Sequence, residues 1–103
     1  MRIGEQGASF AACGIRGLVT DAGVPVRAAP FEEATVSDTL DEGRNLFVCT
    51  RSLDQRWLGV VVPAAASPED GCGVASSVSS RRRYDGPCLS GWVPAAAIRA
   101  RAG

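Results

Sequence analysis

Four cysteines, Cys13, Cys49, Cys72 and Cys88, are the residues of this chain best equipped for chemistry. They admit three readings: disulfides, a metal site or a reactive thiol. Zinc sites draw their ligands in close pairs such as C-x-x-C. Here the closest two, Cys72 and Cys88, stand sixteen positions apart, and the chain has no histidine. A nucleophilic cysteine also wants a histidine partner. Disulfides are therefore the expectation, with buried free thiols in a cytoplasmic protein as the alternative. Four cysteines allow three pairings. The segment between Cys72 and Cys88, GVASSVSSRRRYDGP, is rich in Ser, Gly and Arg and has little to bury. It needs an external constraint, and closing a loop of about 15 residues contributes about 3 kcal/mol by chain entropy. This favours Cys72–Cys88, leaving Cys13–Cys49 to tie the N-terminal arm to a central strand. Disulfides imply an oxidising compartment, so a periplasmic or secreted protein is expected.

Paired carboxylates are the next candidates. Glu32-Glu33 and Asp41-Glu42 have the residue types of glycoside hydrolysis, but that chemistry needs a deep cleft and a fixed separation. A small β domain of this length offers neither. Ser76, Ser77, Ser79 and Ser80 lack a base and an orienting acid. No catalytic residue, cofactor or metal ligand is expected, and the chain is not read as an enzyme.

Recognition is the remaining chemistry. Trp92 follows Gly91, whose small size lets the ring lie in a groove or against the core; Trp57 poses the same choice. Tyr84 follows the triplet Arg81-Arg82-Arg83. The triplet is either a grip for an anionic group or a solvated loop, and Tyr84 either a partner contact or an anchor for that loop.

Composition narrows the class. The chain's 103 residues suit one domain with an adequate but thin core. Eleven basic and eleven acidic residues balance, which argues against nucleic acid as the main partner. Every basic residue is Arg, as a GC-rich genome or a choice of Arg for bidentate anion contacts would give. No apolar run reaches the roughly 18 residues of a membrane span. The opening MRIGEQGASFAAC lacks the apolar core of a signal peptide, so export is expected with the leader outside this chain.

The elements that must position these residues read as short strands between turn signals. Residues 1–13 are small and polar and read as a loose arm. Ile15 to Thr20 alternates, Asp21-Ala22-Gly23 ends that run, and Val24 to Arg27 alternates again. Ala28 to Asp38 reads as a loop carrying Pro30 and Phe31, and Asp41-Glu42-Gly43 as a turn. Leu46 to Thr50 and Trp57 to Val62 form a hairpin about Asp54-Gln55. Trp57, Gly59 and Val61 share one face of the second strand and Leu58, Val60 and Val62 the other. Both faces are apolar, so this strand should be central and covered twice. Gly91-Trp92-Val93 is a short strand, Pro94 to Ala97 a single 3-10 turn, and Ile98 to Arg101 a last strand.

These parts, in this order, resemble the bacterial SH3-like domain. The matching segments are Val26-Arg27-Ala28-Ala29-Pro30, Leu40-Asp41-Glu42-Gly43, Leu46 to Val48, Trp57-Leu58-Gly59-Val60, and Gly91-Trp92-Val93 through Ile98. The resemblance covers about residues 14–101. It implies an all-β fold, a small barrel of five to six short antiparallel strands with one 3-10 turn, as a single domain over 14–103. The departure is an inserted loop, 63–90, between the Trp-bearing strand and Gly-Trp-Val. That segment looks like a variant found in short exported proteobacterial proteins, and it can cover or extend the usual groove.

The resemblance implies a non-enzymatic binding module for a peptide, cell-wall peptide or envelope protein. Trp92, Tyr84 and Trp57 would stack on the ligand, and Arg81, Arg82 and Arg83 would orient an acidic group. The alternative is an interaction subunit that assembles through a sheet edge or the cysteine-bounded loop, without a small ligand.

Overall fold

The computed structural model describes Arg2–Ile3, Cys13, residues 15–63, residues 82–84, Gly86 and residues 88–101. Among these residues the chain is all-β. The strands are β1 (Arg2–Ile3), β2 (Ile15–Val19), β3 (Val24–Arg27), β4 (Val36–Leu40), β5 (Asn45–Arg51), β6 (Trp57–Val62), β7 (Arg82–Arg83), β8 (Leu89–Pro94) and β9 (Ile98–Arg101). A single 3-10 turn, Ala95–Ala97, joins the last two, with Pro94 immediately before it. Proline's fixed φ and missing N–H suit that position.

Seven strands form one antiparallel sheet in the order β4-β3-β8-β6-β5-β2-β9, and β1 pairs separately with β7. Strand β6 is central, and all six of its residues are buried. Its continuous apolar run dictates this, since a strand covered on both faces cannot alternate. The β5–β6 hairpin forms about the expected turn.

The sheet has one strand more than the upper end of the expectation, namely β4. Four of its five residues are exposed and only Leu40 is buried. An edge strand solvated on both faces carries no alternation, so the residues Val-Ser-Asp-Thr-Leu read as loop. Of residues 1–13, expected as a loose arm, only Arg2, Ile3 and Cys13 are described, and two of them are packed. Ile3 pairs with Arg82 and is 1% exposed, and Cys13 is buried.

The two faces of the sheet pack differently. On the inner face Leu58, Val60 and Val62 meet Leu46 and Val48 of β5, Val93 of β8, Val24 and Val26 of β3, Leu40 of β4 and Val19 of β2. Strands from both ends of the sheet thus share one core, so the sheet curls round it. The ladder does not close. Backbone hydrogen bonds from Gly43 to Val19 (2.8 Å) and from Val19 to Arg44 (3.0 Å) nevertheless bind the turn after β4 to the end of β2. At Gly91 the curl brings β8 close to β3: a Cβ there would lie 2.6 Å from Val26 Cγ1 and 2.8 Å from the Arg27 carbonyl oxygen. Only glycine fits so close an approach.

On the outer face a smaller cluster joins Ile3, Cys13, Phe47, Cys49 and Val61, with Tyr84 and Cys88 packed against it. Its covalent tie is the Cys13–Cys49 disulfide, with Cα atoms 4.2 Å apart. Cys49 occupies the point where the β5–β6 register shifts, Val48 pairing with Val60 and Thr50 with Gly59. The bulge leaves Cys49 out of the pairing. Cys88 is also disulfide-bonded; its expected partner, Cys72, lies outside the described residues. No helix among the described residues is long and apolar enough to cross a membrane.

Candidate functional site

The β6–β8 ladder decides which side chains reach the outer face. Leu58 pairs with Val93, Val60 with Gly91 and Val62 with Leu89, and the apolar side chains of these pairs join the inner core. The alternate pairs, Trp57 with Pro94, Gly59 with Trp92 and Val61 with Ser90, therefore face outward. Both tryptophans lie on this outer face, at adjacent outward rungs.

Three loops gather at the Trp57–Pro94 end. The first joins β3 to β4. Ala28 N–H donates to Thr35 O (2.9 Å), Phe31 N–H to Ala29 O (2.9 Å) and Ala34 N–H to Phe31 O (3.1 Å). Arg27, half-buried in β3, donates Nη1 to Ala34 O at 3.0 Å and braces the loop from below. These bonds fix a tip made of Pro30, Phe31, Glu32 and Glu33. Phe31 is 51% exposed, an apolar ring held out to solvent.

The second loop is the β5–β6 turn. Ser52 Oγ donates to Asp54 Oδ1 at 2.5 Å and accepts from Trp57 N–H at 3.1 Å. Arg56 N–H donates to the same Asp54 oxygen at 3.0 Å. Gln55 completes the turn at φ 63, the left-handed region. The hydrogen bonds from Ser52 and from the Arg56 amide, together with the Arg56 charge, hold the Asp54 carboxyl below its ordinary value of 3.8. The third loop is the 3-10 turn, tied to the second by Ala95 N–H donating to Arg56 O at 2.8 Å.

Between the three loops lies a cleft of about 500 Å³ lined by Pro30, Phe31, Glu32, Glu33, Asp54, Arg56, Trp57 and Pro94. That volume falls within the roughly 300–1,000 Å³ of ligand clefts. Trp57 is only 9% exposed, so its ring forms floor rather than a projecting platform. Phe31 and the two prolines give apolar wall, and the charged groups stand at the rim. Such a surface offers apolar burial, ring stacking and charge.

The other expected site residues are placed elsewhere. Trp92 is half-buried on the outer face, paired with Gly59 on one side and Arg27 on the other, and does not line this cleft. Tyr84 is half-buried and packs on the outer cluster; its hydroxyl accepts the Cys88 N–H at 3.2 Å. Its ring lies over Gly86, where a Cβ would fall 2.4 Å from the hydroxyl oxygen. That geometry makes Tyr84 an anchor of its own segment. Arg82 and Arg83 contribute their backbones to β7; their side chains, and Arg81 altogether, lie outside the described residues. Of the expected ligand residues the cleft thus contains Trp57. It adds Phe31, Glu32, Glu33, Asp54, Arg56, Pro30 and Pro94. The sequence signal for these was an aromatic and a proline adjacent in an otherwise polar loop, together with a proline opening the 3-10 turn.

Comparison of the chain with models of known protein families, with curated proteins and with solved structures gave no match.

Proposed function

We propose that this chain is a non-enzymatic binding module of SH3-like topology that holds an extended peptide in the Trp57–Phe31–Pro94 cleft. The observation that carries the reading is a preformed cleft, part apolar and part charged, at the meeting point of three hydrogen-bonded loops. Phe31 keeps half of its surface open on a braced loop, and an aromatic ring presented in a concavity supports a role in recognition. The element order supports the topology: β2, the β3–β4 hairpin, β5, β6, β8, a 3-10 turn and β9 curl round one core as a small barrel would. The candidate ligands are those the resemblance implies, a cell-wall peptide or a segment of an envelope protein. A buried disulfide joining the N-terminal segment to the central hairpin supports export to an oxidising compartment.

The test uses the whole chain, oxidised, against an immobilised positional-scanning library of blocked hexapeptides. The expected result is selective retention that Phe31→Ala abolishes without lowering the thermal midpoint, because Phe31 is half exposed. Retention unaffected by Phe31→Ala overturns the assignment of the cleft.

A further inference from the structure

The charges around the cleft are unbalanced. Three carboxylates, Glu32, Glu33 and Asp54, face one guanidinium, that of Arg56. Arg56 and Asp54 are already electrostatically coupled within their turn. That leaves Glu32 and Glu33, both exposed, with no hydrogen-bond or ion-pair partner among the described residues. The polarity is local, because the chain as a whole carries eleven charges of each sign. The backbone that carries them is held in place: their loop is closed by the Ala28–Thr35 backbone bond and braced by Arg27, so the pair stays beside the cleft without a ligand. Next to them in the loop, and lining the same cleft, is Phe31, whose exposed ring offers a face to a cation as well as apolar area.

We infer that the cleft selects a peptide carrying a positively charged side chain, an amine or guanidinium seated between Phe31 and the Glu32–Glu33 pair, with an adjoining apolar residue on Trp57 and Pro94. The inference rests on the peptide-binding reading and adds the ligand's charge to it. It reverses the polarity expected from Arg81–Arg83, which would call for an acidic ligand.

The positional library separates the two claims. Wild-type chain is expected to enrich Lys or Arg at one position. Glu32→Gln/Glu33→Gln, both at exposed sites, is expected to lose that enrichment and keep the apolar preference. With the best blocked hexapeptide, the double variant weakens affinity by roughly three- to tenfold, the scale of two exposed ion pairs. Raising the salt from about 0.05 to about 0.5 M weakens the wild type similarly, because exposed charges are screened. Glu33→Lys, which leaves two carboxylates against two cations, is expected to abolish the preference for Lys and Arg. Phe31-dependent retention of neutral or acidic peptides, unmoved by the double variant, overturns the charge inference and leaves the cleft in place. No retention of any peptide overturns both.

Discussion

Trp57 and Pro94 stand directly opposite one another on the β6–β8 ladder, and both line the same cleft. One cross-strand pair therefore joins the end of the sheet's central strand to the start of the 3-10 turn and supplies the floor of the binding surface. Trp57→Ala is expected to lower stability by about 3–5 kcal/mol, as removal of a large buried aromatic does. Trp57→Phe should retain most of that stability while weakening peptide retention. Urea unfolding followed by circular dichroism, run beside library retention, separates the two effects.

Gly91→Ala places a methyl group against Val26 Cγ1 and the Arg27 carbonyl, at 2.6 and 2.8 Å. One of these neighbours is backbone and cannot rotate away, so the β3–β8 contact must open. A loss of about 1–3 kcal/mol is expected. Gly23→Ala is the control: it has nothing within 4 Å but sits at φ +70, so it should cost about 1–2 kcal/mol through backbone strain alone. Thermal midpoints of the two variants compare crowding with conformation.

The Cys13–Cys49 bond spans 36 positions of sequence. Replacing both residues by Ala should cost about 4 kcal/mol in the chain-entropy account of a loop that long. Because the sulfurs also fill the outer cluster around Phe47 and Val61, amide exchange should rise first at β1 and in the outer residues of β5. Equal exchange rates in oxidised wild type and the double variant would contradict this role.

Asp54 sets an acid-side dependence. Its folded pKa lies below the unfolded value, because the Ser52 and Arg56 hydrogen bonds favour the carboxylate. The associated stabilisation is fully present above the ordinary value of 3.8 and is lost as pH falls through the lower folded value. The thermal midpoint should therefore fall below about pH 4, and Asp54→Asn should flatten this part of the profile. Since the turn presents Trp57 and Arg56, the variant should also weaken peptide retention at neutral pH.

Tyr84→Phe removes the acceptor for the Cys88 N–H. The expected loss is about 1 kcal/mol in urea unfolding, with peptide retention unchanged. A drop in retention at constant stability would instead make Tyr84 part of the binding surface.

The sequence and the structure agree where burial leaves a pattern. The doubly apolar run from Trp57 to Val62 announces a central strand, and Gly91-Trp92-Val93 followed by Pro94 announces a strand ending in a 3-10 turn; both are found. The Cys13–Cys49 pairing follows from the barren composition of the segment between the other two cysteines. Strand β4 was illegible because all its residues but Leu40 are exposed and owe their pairing to β3. Only the floor residue Trp57 was legible as a site candidate. Glu32 and Glu33 were visible as a carboxylate pair, but their relation to Asp54, Trp57 and Pro94 is long-range. It arises when the curl of the sheet brings the β3–β4 tip over the β5–β6 turn, and no local spacing records it. Tyr84 reads as either a partner contact or an anchor for its loop, and its hydroxyl accepts the Cys88 N–H of its own segment.

The long segment between β6 and β8 leaves the sheet at Val62 and returns at Leu89, which are paired with each other. Trp57 and Pro94 are the pair at the opposite end of the same ladder, five residues away along β6, or about 17 Å at strand rise. The anchor points of the insertion and the cleft therefore occupy opposite poles of one hairpin. Strain arising in the insertion therefore enters this ladder at Val62 and Leu89, the end remote from the tryptophan.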